Sequence, residues 1–439
     1  MASPFTPNTD HQRRLMLSAI GAESLEDLFK DIPASHRNPR LDLPSAMSEP
    51  DLNLHASKLA AVNADAGHYS SFIGAGSYWH HIPAIVNSIT SRGEFMTAYT
   101  PYQPEVAQGT LQAAYEFQSM VCQLTGMDVA NAGMYDGSTS IAEAALMACR
   151  VTRRDRVAIL NSVSPLYRDV LDTYVQAPGL VVDEITSSNL SLSEDTACLI
   201  VQQPNFFGYM EDLQSFSEIA HEAGALLVVS VDPMSLGMFK PPADYGADIV
   251  VAEGQSMGIP MSYGGPYVGI FACRQEYVRQ MPGRIVGKTL DTRGKEAYVL
   301  TLQAREQHIR RERATSNICT SVALISLMFT VYIAAMGKQG IKKVSELCYH
   351  KSHYAASLIN NIPGYSLLSF GTGTFFREFV VQCPRPPSEI NEFLLKRKII
   401  GGLDISEQVE RGLLVCVTEM NTKDDIDALA KALTDVGGR

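Results

Sequence analysis

From Arg156 to Arg274 the chain alternates between short, almost continuous apolar runs and stretches whose apolar residues recur every three or four positions. The runs VAIL, GLVVDEI, TACLIVQQPN, LLVVSVD, ADIVVAEG and YVGIFACR read as strands, and SPLYRDVLDTYVQ and DLQSFSEIAHEAG as helices. Strands apolar on both faces, interleaved with helices, predict an α/β fold with a largely parallel sheet. The glycine-rich SYGGPYVG is too short for a crossover helix, so the YVGIFACR strand is expected to return antiparallel.

A second, smaller α/β alternation follows residue 340, with helices at KSHYAASLINNI, SEINEFLLKRKI and TKDDIDALAKALTDV and strands at REFVVQC and GLLVCVTE. Thr422 and Asp425 have the spacing of a capping box at the start of the last helix. Upstream, AYTPYQPEVAQG leads into a helix whose apolar face is expected at Leu111, Tyr115, Met120 and Leu124. Residues 1–60 read as an extension that wraps rather than as a domain, with amphipathic SLEDLFKDIP and EPDLNLHASKLAAVNA on either side of HRNPRLDLP. The expected organisation is an extension over 1–60, a large α/β domain over 61–315, and a long helix with a small α/β domain over 316–439. Ile318 to Gly337 carries no charge over twenty residues, long enough to span a bilayer. Its hydroxyls (Thr320, Ser321, Ser326, Thr330) and the absence of a second span favour a helix buried in a soluble domain.

Composition narrows this further. With 439 residues, 46% hydrophobic and 19% charged, the chain can bury a large core. A net charge of −11 argues against nucleic acid or an anionic membrane as the main partner. Eight scattered cysteines without a C-x-x-C predict reduced thiols rather than disulfides or a zinc site, and no metal is expected. The amino terminus has no apolar signal core, so a cytoplasmic location is expected. Neither a dinucleotide fingerprint nor a P-loop motif is present.

In an open α/β sheet, chemistry gathers at the carboxyl ends of strands. Asp232 and the Glu253–Gln255 cluster occupy two such ends. Asp136-Gly137-Ser138-Thr139-Ser140 precedes an alanine-rich helix and offers either an anion site at the helix amino terminus or a simple N-cap. Pro101 and Pro104 frame an irregular loop carrying Tyr99, Tyr102, Gln103 and Glu105, suited to substrate contact. Tyr78, Trp79, His80 and His81 could line a pocket or pack, and adjacent histidines do not face one way. Arg284 to Arg313 contains eight lysines and arginines, a solvated face or a dock for an acidic carrier. The anion site, the strand-end acid and the small C-terminal domain together suggest a pyridoxal-phosphate (PLP) fold of the aminotransferase type, fold type I. Such enzymes hold PLP on a lysine, yet no lysine lies between Lys240 and Lys288.

The motifs AYTPYQPEVAQG, LTGM…NAGMYDGSTS, EGQSMGIPMSYGGPYVGIF and GRIVGKTLDTRGKEAYVLTLQAREQHIRRERATSNICT closely resemble the glycine decarboxylase (P-protein) family of the glycine cleavage system, in its amino-terminal-half, subunit 1 form. The resemblance covers nearly the whole chain. It implies PLP-dependent decarboxylation of glycine, with the aminomethyl group passed to the lipoyl arm of the H-protein and CO2 released. It also implies an α2β2 assembly in which subunit 2 carries the lysine and the cofactor, in a motif similar to H-K-T-F-C-I-P-H-G-G-G-G-P. Setting Gly264-Gly265-Pro266 on that motif places Gln255 on the lysine, so no covalent PLP is expected here. Gly137, Ser138, Thr139 and Asp232 would then be vestigial cofactor contacts, and Tyr99, Tyr102, Gln103 and Glu105 would line a site shared with the partner. Two other readings stay open: a self-sufficient PLP enzyme (aminotransferase- or desulfurase-like) using Lys240 or Lys288, and a binding or regulatory protein on the same fold.

Overall fold

Seven strands form the main sheet: β1 (Val129–Ala130), β2 (Arg156–Leu160), β3 (Val181–Ile185), β4 (Thr196–Gln203), β5 (Leu226–Val231), β6 (Ile249–Glu253) and β7 (Gly269–Cys273). Their order is β1-β7-β6-β5-β4-β2-β3, and the pairs from β3 across to β6 are parallel. β7 returns antiparallel on β6, with Glu253 opposite Gly269. The computed structural model describes residues 8–303, 306–319 and 322–437.

Every residue of β5 is buried, as its continuous apolar run requires when helices cover both faces of a parallel sheet. Helix α4 (Gly137–Thr152) packs on this sheet through Ala142, Ala144, Ala145 and Ala148, all fully buried, and small side chains there allow close approach. Helix α3 (Gln108–Thr125) buries Leu111, Phe117, Gln118, Val121 and Thr125, whereas Tyr115, Met120 and Leu124 are only half-buried. The helix is thus rotated from the expected face. Its flanks are apolar on both sides, and Gln118 is admitted to the interior because its amide bonds both ways with the Val286 backbone (2.8 and 3.0 Å).

A second sheet, antiparallel, has strands Ser366–Leu368, Glu378–Gln382, Gly412–Cys416 and Leu403–Asp404 side by side. Helices Pro387–Leu395 and Lys423–Gly437 share its core. At the start of the last helix, Thr422 Oγ1 donates to Asp425 (2.6 Å) and the Asp425 amide donates back to Thr422 (3.1 Å). Both sheets lie in one unit, Ala64–Arg439.

The two helices expected at Ile318–Gly337 and KSHYAASLINNI form one element, α5 (Ala323–Asn360), interrupted at Gly337, whose φ of 59° and ψ of 179° break the helical geometry. Among the described residues it is the one helix long and apolar enough to cross a membrane, and 39% of its most apolar window is buried. Phe329, Thr330 and Tyr332 are in the interior, and Thr320 and Ser321 lie outside the described residues.

The other unit, Met1–Asn63, contains helix α1 (Asp10–Ala19), two 3₁₀ turns at Leu25–Phe29 and Ala34–His36, and helix α2 (Glu49–Ala60). The sequence reading missed α1. Its signal is the Thr9/Gln12 capping box, in which each residue bonds the other's backbone (3.3 and 2.9 Å).

Candidate functional site

The carboxyl ends of β4, β5 and β6 bring Asp232 and Glu253 to one cavity, which is also lined by Tyr78, Tyr167, Gly208, Phe376, Arg377 and Glu378. Sequence patterning locates the first two. The last two come from the small-domain strand REFVVQC, a stretch that showed no chemical constellation by itself. The available signal was a charged pair inside the apolar run FFREFVV, since buried charges must be paired.

Among the described residues Arg377 is the largest fully buried side chain. Its Nη2 lies 2.7 Å from Asp232 Oδ2, an ion pair, and its guanidinium stacks 3.3 Å from the centre of the Tyr78 ring. Burial opposes the charge, but Asp232 beside it holds the guanidinium's pKa above its ordinary value. Nη1 donates to His80 Nε2 (2.5 Å). An arginine can only donate, so His80 presents its lone pair there and carries its proton on Nδ1, which donates to Glu419 (2.6 Å). That bond holds the Glu419 carboxyl below its usual range despite burial. The Cys348 thiol approaches the same carboxylate (3.6 Å), so His80, Cys348 and Glu419 form a cluster of metal-ligand types. With the Arg377 cation on the other ring nitrogen, that cluster is a hydrogen-bonded relay ill suited to a second cation.

Glu378 accepts from the Tyr78 hydroxyl (2.8 Å) and the Ala75 amide (2.6 Å), and burial pushes its carboxyl up. Gln255 is buried and held at three points. Its Oε1 accepts the Tyr78 amide (2.8 Å), while its Nε2 donates to the carbonyls of Tyr78 (3.0 Å) and Ile259 (2.9 Å).

At the start of α4, Asp136 caps the helix by accepting from Thr139 N–H (2.8 Å) and from the Ser138 hydroxyl (2.6 Å). The Gly137 amide donates to Glu253 Oε2 (2.9 Å). Of the two possibilities weighed for this segment, the geometry is that of an N-cap whose leading amide already has a carboxyl partner. Burial raises the Glu253 carboxyl to about 8, against backbone hydrogen bonds from Gly137, Gln255 and Val268 that pull it down. Gly137 has to be glycine here, because a Cβ would stand 2.9 Å from the Cβ of Glu253.

PLP does not fit the residues present. The acid that would face a ring nitrogen is paired with Arg377, the amide that would face a phosphate is bonded to Glu253, and no lysine lines the cavity. The remaining space, about 40 Å³, takes a few waters, whereas small-molecule sites measure ~300–1,000 Å³. Lys240 is exposed, and Lys288 lies on an outer hairpin paired with Glu296 (2.5 Å).

The other candidate set does not line this cavity. Tyr99 and Tyr102 are 67% and 45% exposed on the loop before α3, with Gln103 and Glu105 also exposed. Tyr102 accepts from Arg284 Nη2 (3.3 Å) and packs its ring 5.2 Å from that of His308. The loop therefore joins the basic segment, of which Arg305 lies outside the described residues.

Against known proteins, the profile of the glycine cleavage system P-protein family matches residues 4–433. A relative from Thermomicrobium roseum, named "probable glycine dehydrogenase (decarboxylating) subunit 1", is 51% identical over 98% of this chain and 99% of its own length. The crystal structure of a glycine decarboxylase (P-protein) of the glycine cleavage system in inhibitor-bound form superposes with a TM-score of 0.93 at 42% identity, over 99% of this chain and 100% of that one. A sphingosine-1-phosphate lyase of Burkholderia pseudomallei shares the fold alone, at a TM-score of 0.65 and 16% identity over 92% of this chain and 93% of its own.

Proposed function

The chain belongs to the glycine cleavage system P-protein family, and from that premise we propose that it is the subunit 1 of a glycine dehydrogenase (decarboxylating), inactive by itself and completed by a lysine-bearing subunit 2. The complex decarboxylates glycine with PLP, releases CO2 and passes the aminomethyl group to the lipoyl arm of an H-protein. In this reading the cofactor sits in subunit 2, the assembly is α2β2, and the location is cytoplasmic.

The division of labour rests on one observation: this chain's own cavity is filled by its own side chains. Arg377 takes the acid, Glu253 takes the leading amide of α4, and Gln255 stands at the lysine's place with all three amide contacts satisfied. A cavity closed in this way stabilises a scaffold and does not turn over substrate. The exposed Tyr99–Glu105 loop, backed by Arg284 and His308, is what this chain would present to the partner's glycine or cofactor.

The test is exchange of the glycine carboxyl with bicarbonate, assayed for each subunit alone and for the mixture with PLP and H-protein. Activity only in the mixture is expected. If this chain alone turns yellow with PLP and borohydride fixes the cofactor to Lys240 or Lys288, it is a self-sufficient enzyme and the proposal fails.

A further inference from the structure

Between the short strand Ser70–Ser71 and the helix Ala84–Thr90 the chain crosses the strand ends with no helix or strand of its own. Residues 74–81 of this crossing are held by side chains from distant parts of the chain. The Ala75 amide donates to Glu378 Oε1 (2.6 Å), the Tyr78 amide to Gln255 Oε1 (2.8 Å) and the His81 amide to Glu419 Oε1 (2.8 Å). Gln255 Nε2 donates back to the Tyr78 carbonyl (3.0 Å), and Thr418 Oγ1 donates to the Trp79 carbonyl (2.7 Å). Ser77 Oγ lies 2.7 Å from Tyr267 Oη. Gln255 follows β6 and Tyr267 precedes β7, whereas Glu378 opens one strand of the second sheet and Thr418 and Glu419 follow another. The segment therefore bridges the two sheets. Its Ala75, Gly76 and Tyr78 line the strand-end cavity of about 40 Å³. On its other side Tyr78 and Trp79 line a wider cleft of about 780 Å³, with Ile259, Tyr263 and Tyr267, so the segment is the partition between the two spaces.

We propose that residues 74–81 are a lid latched shut over the strand-end cavity, and that Gln255, at the lysine's place, is the latch. The inference stands on this chain's own contacts and does not depend on the proposed function. A segment with no backbone ladder owes its order to the side-chain bonds it makes, and here the backbone itself opposes that order. Ala75 is held at a φ of 60°, in the left-handed region that costs a residue with a Cβ. Gln255 is buried and grips one residue at two points, accepting from the amide of Tyr78 and donating to its carbonyl. A lysine ammonium has donors only, so it would leave the Tyr78 amide without an acceptor. Glutamine is thus the better residue for closing the lid, over and above being unable to form an imine. The grip is passed on to the cavity, because Tyr78 stacks on the Arg377 guanidinium (3.3 Å) and donates its hydroxyl to Glu378 (2.8 Å).

The test is hydrogen exchange of backbone amides in the full chain, for wild type, Gln255→Met and Thr418→Val. Methionine keeps the length of Gln255 and removes its bonds, and Thr418→Val removes the hydroxyl that holds Trp79 at the other end of the lid. If the lid opens as one unit, Gln255→Met speeds exchange at Ala75 and His81 as well as at Tyr78, by about tenfold or more, although the acceptors Glu378 and Glu419 are intact. Thr418→Val speeds Ala75 and Tyr78 by about fivefold, one hydrogen bond being lost. Arg377, fully buried, also becomes reactive towards phenylglyoxal in Gln255→Met. Acceleration confined to Tyr78 would show independent contacts and overturn the lid, as would rapid exchange of all three amides in wild type. The amides of Val228 and Val229 in β5 report whether the fold is kept. Should Gln255→Met lose protection there too, Thr418→Val decides: joint acceleration of Ala75 and Tyr78 supports the lid, and unchanged rates overturn it.

Discussion

Replacing Arg377 by methionine should unfold this chain far more readily than any surface change. The methionine keeps most of the apolar stem, so the lost packing is small. What remains is electrostatic. Asp232, its side chain 13% exposed, loses the cation 2.7 Å away, Tyr78 loses a stacked guanidinium at 3.3 Å, and His80 Nε2 loses its donor. Removing one partner of a buried ion pair costs about 3–5 kcal/mol, and a desolvated cation–π contact adds up to about 2 kcal/mol. A loss of about 4–6 kcal/mol is therefore expected. Much of it comes from stranding Asp232, so Asp232→Asn on the Arg377→Met background should restore about 2–3 kcal/mol, a coupling typical of residues in direct contact. Urea unfolding followed by circular dichroism gives both numbers from the midpoint shift at constant slope. If Arg377→Met lies within about 1 kcal/mol of wild type, a value expected of surface changes, the filled cavity is not a stabilising centre. If the double variant is no more stable than Arg377→Met, the pair is not coupled.

Three other outcomes follow from the same geometry. Because the Glu253 carboxyl is raised to about 8 from an ordinary 4.5, the folded chain holds a proton there that the unfolded chain releases; the stabilisation is complete below about pH 4.5 and disappears as pH rises through about 8. That swing is worth up to about 5 kcal/mol, and Glu253→Gln should flatten the pH 5–9 profile of Tm relative to wild type; parallel profiles would exclude Glu253 as the titrating group. Gly208 has a φ of +89°, and an added Cβ would fall 2.1 Å from the Glu378 carbonyl oxygen, so Gly208→Ala should lower stability by about 3 kcal/mol or more in thermal unfolding, with a change below about 1 kcal/mol refuting the close approach. Tyr99→Phe with Tyr102→Phe should lower kcat/KM of the reconstituted complex by about tenfold while leaving the Tm of this subunit within a degree or two, because both rings are exposed; unchanged kcat/KM removes the loop from the shared site.

Much of the architecture was legible from residue patterns because each signal is local. The all-apolar runs between Arg156 and Arg274 mark strands covered on both faces, and SYGGPYVG is too short for a crossover, which forces the antiparallel return seen between Glu253 and Gly269. Asp232 could be placed at a strand end from its flanking run. The rotation of α3 was not legible, since apolar residues occur on both of its flanks and Gln118 enters the interior only by bonding Val286.

By itself, the sequence determined the fold class, the family and the absence of a lysine between Lys240 and Lys288, because period, length and residue identity are properties of the chain alone. Only the tertiary structure decided which side chains meet at the strand ends. Arg377 meets Asp232 across 145 positions of chain, and His80 meets Glu419 across 339. Glu253 reaches the first amide of α4 from 116 residues away. Such pairings depend on how a strand of the second sheet packs over the strand ends of the first, and a buried charge discloses its partner only once both are out of water.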